Sequence, residues 1–136
     1  MVDDVLMNKA ATIERSVFRV REEHAGDDAN LVSNQTRQDA IILNLLRACE
    51  AAIDGAMHLV RIGRVGIPQE TREAFDLLVR AGLLEADLAE RMKKMVGFRN
   101  IAVHDYQKIN LEIVRRIITE HLDDFLAFAR RLLREG

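Results

Sequence analysis

A group of polar side chains in the last third of the chain has the types and spacing needed for proton transfer beside an anion. Arg99, His104 and Tyr106 form the pattern R-x4-H-x-Y, and Tyr106 is the only tyrosine in the sequence. An imidazole titrates at about 6.5, so it can take up and release a proton near neutral pH. A guanidinium keeps its charge and can stabilise negative charge that develops in a reaction. The pattern is therefore a candidate catalytic site.

Arg99 also occupies a position where a helical pattern asks for an apolar residue. Leu88, Met92 and Met95 are spaced by four and three residues, and Arg99 follows four residues later. A guanidinium is poorly tolerated in a dry core, so this one needs a carboxylate partner, a cleft or a subunit interface. Residues five apart on an ideal helix lie about 140° apart, so convergence of Arg99 and His104 requires the helix to end or bend between them. We expect the motif to straddle a helix end.

A purely structural interpretation of the same residues stays open at this point. Arg99 can be a helix-end arginine that pairs with Asp105 or Asp54, while His104 and Tyr106 fill an interface. Asp54 would then be a brace for Arg99 across a helical bundle, although it can equally be an ordinary surface charge.

The elements that must position these residues are predicted to be helices. Glycine (7), proline (1) and aromatic residues (4%) are too scarce for hairpins and tight strand turns. The apolar spacing predicts five helices, at Val2 to about Glu23, Asn34 to Ile62, about Gln69 to Ala81 with Pro68 at or near its first turn, from near Glu85 toward Arg99, and from an N-cap at Asn110 to the C-terminus. We expect an all-α, four-helix-type up-down bundle with the short third helix as an addition, in one domain over residues 1–136.

Composition excludes several classes of function. The net charge of −2 argues against a generally basic nucleic-acid coat, and one cysteine, Cys49, excludes a disulfide framework and a cysteine-rich zinc site. His24 and His121 have no Cys, second His or ligand-spaced carboxylate partner that would make a zinc site convincing, so we assign no metal and no cofactor. The acidic start is unlike a secretory signal, and no apolar run approaches the roughly 20 residues that cross a bilayer. We expect a cytoplasmic protein without a membrane partner.

The motif and its surroundings resemble the HEPN superfamily, in particular its HepT-like toxin branch. The resemblance covers roughly residues 35 to 120 and is less specific before and after them. The segments that carry it besides the motif are Asn44-Leu45-Leu46-Arg47-Ala48, Ala52-Ile53-Asp54, Gly66-Ile67-Pro68, Arg72-Glu73-Ala74-Phe75-Asp76-Leu77-Leu78 and Met95-Val96-Gly97-Phe98-Arg99-Asn100.

This resemblance implies a metal-independent endoribonuclease that cleaves tRNA or mRNA as the toxin of a type VII toxin–antitoxin pair. RNA carries its own nucleophile, the 2′-hydroxyl, so the protein must move protons and stabilise the charged phosphorane. Arg99 and His104 suit these tasks, and Asn100 could orient a phosphate oxygen or His104. Because one motif supplies one imidazole where an acid and a base are wanted, a homodimer would complete the site.

The resemblance also implies a regulator. HepT-like toxins are usually paired with a minimal nucleotidyltransferase antitoxin, MntA-like, which attaches AMP to the motif tyrosine, here Tyr106. The adduct would add negative charge and bulk beside Arg99 and His104, and thereby repel RNA. The alternative function is a catalytically inactive HEPN bundle that serves as a protein-interaction or nucleotide-sensing subunit.

Overall fold

A computed structural model describes residues 3–135, and the side chains of residues 3–134. Over these residues the chain is helical and forms no β-strand. The helices are α1 (Asp4–His24), α2 (Ala29–Val32), α3 (Gln35–Gly63), α4 (Thr71–Arg80), α5 (Ala86–His104), α6 (Leu111–Arg116) and α7 (Leu122–Glu135), with a 3-10 turn at Tyr106–Lys108 and a π-helical turn at Ile117–His121. The all-α prediction is confirmed.

Polar side chains cap the first turns of α1, α3 and α6. Asp3 accepts hydrogen bonds from the first backbone N–H groups of α1, and Asn34 does the same for α3. The predicted N-cap Asn110 accepts from the backbone N–H of Glu112 and starts α6. At the far end of α1, Ala25 and Gly26 adopt left-handed backbone angles, which end the helix.

Ion pairs between neighbouring helices define an up-down-up-down bundle. Three pairs of antiparallel helices are joined in this way. Helices α1 and α3 are joined by Lys9–Asp54 and Glu23–Arg37, and α3 and α5 by Glu50–Arg99. Helices α5 and α7 are joined by Arg91–Asp124 and by Glu85, the residue before α5, with Arg131. The four long units are therefore α1, α3, α5 and the continuous run from α6 to α7. The short α4 is the predicted addition.

The core lies along α3, which contacts α1, α4, α5 and α7. The apolar stripe of α3 is buried, and its members are Ile42, Leu45, Cys49, Ala52, Ala56 and Leu59. Phe75 of α4 packs on Phe128 of α7 with their ring centroids 5.6 Å apart. Helix α5 packs against α3, α4 and α7, and these contacts place the motif.

Two local features differ from the sequence-based expectation. The break at Asp27 and Asp28 contains the short helix α2, because Asp27 accepts from the backbone N–H of Ala29 and Leu31 is fully buried. Helix α4 starts at Thr71, so Pro68 lies before it rather than in its first turn. Val2, the expected start of the first apolar stripe, lies outside the described residues.

The last helix also departs from the prediction, because a π-helical turn divides it at Ile117–His121. The hydroxyl of Thr119 donates to the backbone carbonyls of Arg115 (3.0 Å) and Arg116 (3.4 Å). Such back-bonding competes for the carbonyls that an α-helix uses and locally distorts it. No helix among the described residues is long and apolar enough to span a membrane.

Candidate active site

The C-terminal end of α5 positions the motif. Arg99 and Asn100 lie within the helix and His104 is its last residue. Asp105 then leaves helical geometry with φ −153° and ψ 57°, and Tyr106 opens the 3-10 turn. The motif straddles a helix end, as we expected.

The position of that helix end corrects one expectation. We expected α5 to end or bend between Arg99 and His104, but it continues through both residues. On a continuous helix, side chains five residues apart lie about 140° apart. Within one chain, Arg99 and His104 therefore point in different directions around α5. Asn100 is four residues before His104 and shares its side of the helix.

Arg99 is held by weak contacts only. Its side chain is 20% exposed, Nη1 lies 3.7 Å from Oε1 of Glu50, and Nη2 donates to Oγ1 of Thr71 over 3.5 Å. Its Nε is buried and makes no hydrogen bond to the described residues. A guanidinium offers five N–H donors, so most of this binding capacity is unused.

The carboxylate beside Arg99 is not the one that the sequence suggested. Asp54 pairs with Lys9 of α1 at 3.4 Å, and Asp105 pairs with Lys108 at 3.3 Å, so neither braces Arg99. Glu50 lies one turn before Asp54 on α3, which is about 6 Å nearer to the start of that helix. The axial offset between α3 and α5 brings Arg99 level with Glu50.

His104 and Asn100 are open to a ligand. His104 is exposed, Asn100 is half-buried, and neither makes a side-chain hydrogen bond or an ion pair within the described part of the chain. Both ring nitrogens of His104 are therefore available to a substrate or to a second protein chain.

Tyr106 is anchored to α3. Its hydroxyl donates to Oδ1 of Asp39 over 2.9 Å, and its side chain is 45% exposed. Partial burial and the Asp39 carboxylate raise the pKa of Tyr106 to about 12. Nε2 of Gln35 donates to the same oxygen of Asp39 over 2.9 Å. Sequence analysis did not identify Asp39, because no spacing rule connects it to the motif.

These contacts define an extended surface, which we call the motif surface and which comprises Arg99, His104, Tyr106, Asp39 and Glu50. Asp39 and Glu50 are eleven residues apart on α3, which corresponds to about 16 Å along the helix. Arg99 and Tyr106 thus mark its two ends. Two exposed apolar side chains border it, Leu43 of α3 (46% exposed) and Val103 of α5 (49% exposed).

A separate cavity of about 400 Å³ lies on another side of α5, against α6 and the π-helical turn. Its lining is mainly apolar and includes Phe98, Ile101, Ile113 and Ile117. The basic side chains of Arg91 and Lys94 also line it. Arg99, His104 and Tyr106 do not line it. The cavity and the motif surface are therefore distinct features.

The other titratable candidates are structural. Each remaining histidine lies next to a carboxylate, in the pairs His24–Asp28, His58–Asp3 and His121–Asp124. Cys49 is buried, and that burial raises the pKa of its thiol, which is typical of an inert core cysteine. Within residues 3–135, no three His, Cys, Asp or Glu side chains are grouped so that they could hold a metal ion.

Comparison with known proteins agrees with the motif. The family model described as Ribonuclease HepT-like matches residues 13–132. The chain is 46% identical over 127 residues to the mRNA nuclease HepT of Shewanella oneidensis, covering 93% of this chain and 95% of that protein. A putative RNase of Archaeoglobus fulgidus is 32% identical over 94 residues, 68% of this chain and 69% of that one.

Solved structures of similar proteins agree with these sequence similarities. The tri-AMPylated Shewanella oneidensis HEPN toxin in complex with MNT antitoxin superposes with a TM-score of 0.90 at 45% identity, over 96% of this chain and 98% of that one. A toxin–antitoxin crystal structure with AMP-PNP gives the same TM-score, identity and coverage. These similarities confirm the resemblance that the motif indicated.

Proposed function

This chain belongs to the HepT-like ribonuclease family, and we propose that it is the toxin of a type VII toxin–antitoxin pair. It cleaves cellular RNA without a metal ion and is silenced when a nucleotidyltransferase attaches AMP to Tyr106. The relative from Shewanella oneidensis is named as an mRNA nuclease, and we propose the same class of substrate here.

The reaction uses the 2′-hydroxyl of the RNA as the nucleophile on the adjacent phosphorus. His104 removes the proton of that hydroxyl or protonates the departing 5′ oxygen, and Arg99 binds the non-bridging oxygens as their charge increases. Asn100 orients the phosphate or His104. The products are a 2′,3′-cyclic phosphate and a 5′-hydroxyl, and the step needs no metal ion.

The observation that carries this proposal is the incomplete binding of Arg99 beside an unpartnered His104. Contacts of 3.5 and 3.7 Å leave the guanidinium free to accept a phosphate, which binds arginine through short, charge-assisted hydrogen bonds. The exposed imidazole of His104 has both ring nitrogens available for proton transfer to or from an RNA.

We also propose that the active unit is a homodimer. Because α5 is continuous, Arg99 and His104 of one chain do not converge, so a second copy must supply the complementary group. The exposed side chains of Leu43 and Val103 beside the motif surface suit such an interface.

Co-expression of two inactive variants tests this arrangement. Arg99→Ala and His104→Ala chains with different tags are purified as the mixed dimer. If each site combines Arg99 of one chain with His104 of the other, one of the two sites is intact, and activity is about half that of the wild-type dimer. A mixed dimer as inactive as its parents would contradict the shared site.

The proposed silencing acts through charge. AMP linked to Tyr106 adds a negatively charged phosphodiester to the His104 end of the motif surface, where it repels the RNA backbone. Co-expression with the nucleotidyltransferase is expected to add one or more units of about 329 Da to the peptide that contains Tyr106. The Tyr106→Phe variant is expected to stay unmodified, and modification of another residue in its place would contradict this role.

We make three further proposals, on domain organisation, cellular location and metal independence. We propose that the chain forms one domain and acts in the cytoplasm, where its RNA substrate is found. Cleavage is expected to persist in EDTA and to leave cyclic phosphate ends. A requirement for Mg²⁺, or 5′-phosphate products, would indicate a different nuclease mechanism.

A further inference from the structure

Asp39 of α3 contacts the atom on which the regulatory chemistry would occur. Its Oδ1 accepts the hydrogen bond of the Tyr106 hydroxyl over 2.9 Å. Gln35, one turn earlier on the same helix, donates to that oxygen over 2.9 Å and holds the carboxylate in place. The carboxylate of Asp105 is next to Tyr106 in sequence, but it pairs with Lys108. Asp39 is the residue that α3 presents to the phenol.

We propose that Asp39 positions the Tyr106 hydroxyl and accepts its proton during nucleotide transfer. In this step, Oη of Tyr106 attacks the α-phosphorus of a nucleoside triphosphate. The Oη–P bond forms, the bond from that phosphorus to the bridging oxygen breaks, pyrophosphate leaves, and the phenolic proton passes to Oδ1 of Asp39. This inference rests on the proposed modification of Tyr106.

The chemistry explains why a base at this place matters. The phenol of Tyr106 has its pKa raised to about 12, so it is almost entirely neutral near neutral pH and its oxygen is a weak nucleophile. As the bond to phosphorus forms, the phenolic proton becomes strongly acidic. A carboxylate at 2.9 Å is within the distance over which a general base takes a proton. The same contact also fixes the direction of the lone pairs that attack.

The experiment measures the rate at which the full chain gains AMP from Mg²⁺-ATP and the nucleotidyltransferase, by intact mass. Asp39→Asn keeps the size of the side chain and an acceptor oxygen but removes the base, and it is expected to lower the rate about 100-fold near pH 7. Asp39→Glu restores a base and is expected to recover part of the rate. The matched control is Asp105→Asn, a carboxylate beside Tyr106 that does not contact the phenol, with a change below about threefold.

The pH profile separates proton transfer from a structural role. Without Asp39 the phenol must ionise before it attacks, so the rate of the Asp39→Asn protein is expected to rise about tenfold per pH unit, whereas that of the wild type rises much less. The amide of Gln35 contacts Asp39 and Gln38, and the ion pair Asp105–Lys108 flanks Tyr106 in sequence; all four residues are unchanged in the variant. Thermal melting verifies that the variant folds.

The outcomes are distinguishable. If the wild-type chain gains no AMP on Tyr106, both the proposed silencing and this inference are wrong. If the wild type is modified and Asp39→Asn is modified equally fast, or is slowed by the same factor at every pH, only the role of Asp39 as proton acceptor is overturned.

Discussion

Arg91 and Arg99 lie eight residues apart on α5, yet their guanidinium groups are held in opposite ways. Nε of Arg91 donates to Oδ1 of Asp124 over 2.9 Å, and Nδ1 of His121 lies 2.9 Å from the other oxygen of the same carboxylate. Arg99 has contacts of 3.5 and 3.7 Å and a buried Nε without a hydrogen bond to the described residues. The two groups combine similar residue types but differ in how completely they are satisfied.

That difference separates structural polar groups from functional ones. The first group, which we call the Asp124 cluster and which comprises Arg91, His121 and Asp124, is closed: its carboxylate is 14% exposed and uses both oxygens. Folded proteins satisfy nearly all buried polar groups, and the Asp124 cluster follows that rule. On the motif surface, Arg99 departs from that rule, because its buried Nε has no hydrogen bond to the described residues, so the capacity of this guanidinium is reserved for a ligand or a second chain.

The largest expected effect is the loss of activity on the motif surface. Arg99→Ala and His104→Ala are each expected to lower RNA cleavage at least about 100-fold, because they remove the charge stabilisation and the proton transfer of the proposed reaction. Since neither side chain is well bound in the fold, melting temperatures stay close to that of the wild type. The matched control is His121→Ala, which removes an imidazole from the Asp124 cluster and leaves cleavage within about threefold. Full cleavage by both motif variants would show that the motif is not the active site, whereas a wild-type chain that cleaves no RNA would support the alternative of an inactive bundle.

The reverse experiment disturbs the Asp124 cluster. Asp124→Asn removes the charge that binds Arg91 and His121, and it is expected to lower the free energy of unfolding by about 1–2 kcal/mol. Cleavage at a temperature well below melting is expected to be retained. Urea unfolding measures the first quantity, with Asp123→Asn as the control, because Asp123 is largely exposed and pairs only with Arg21 at the surface. A loss of activity without a loss of stability would contradict the comparison.

Much of the fold could be predicted because local rules determine it. The apolar stripe of α3 and the N-cap at Asn110 each follow from residues within a turn or two of one another. The short α2 was not predicted, because its four residues depend on docking Leu31 into a core formed by distant helices. The π-helical turn was not expected from Thr119 alone, since most threonines in helices cause no such change.

The candidate site could be predicted only in part from the sequence. The motif residues were identified from their spacing, but their partners Glu50 and Asp39 were not. Asp54 and Glu50 are one turn apart on α3, and only the axial offset of α5 against α3 decides which of them meets Arg99. That offset results from the packing of the whole core. A pattern within one helix carries no information about it.

A substitution of Glu50 is expected to have an effect of intermediate size. Its carboxylate lies 3.7 Å from Arg99 and competes with an RNA phosphate for the guanidinium. Glu50→Gln is therefore expected to lower the KM for RNA about two- to fivefold at low salt, with little change in stability, because the pair is half exposed and long. Asp54→Asn is the matched control, since Asp54 pairs with Lys9 and is expected to leave KM unchanged. An equal effect of both variants would mean only that net charge matters.

The smallest effect at neutral pH concerns the contact between Tyr106 and Asp39. Burial and the Asp39 carboxylate raise the pKa of the Tyr106 phenol from 10.0 to about 12, so folding favours the neutral phenol. The contribution of this contact to stability is complete below about pH 10 and is lost as the pH rises toward about 12.

Because Tyr106 is the only tyrosine and the chain has no tryptophan, near-ultraviolet absorbance follows the ionisation of this one phenol. Asp39→Asn is expected to lower the titration midpoint part of the way to 10.0, since burial remains, and to lower the free energy of unfolding at pH 8 by no more than about 1 kcal/mol, because the hydrogen bond is exposed. If the phenol of the folded wild-type chain ionises at the same pH as the phenol of the urea-unfolded chain, this hydrogen bond does not persist in solution.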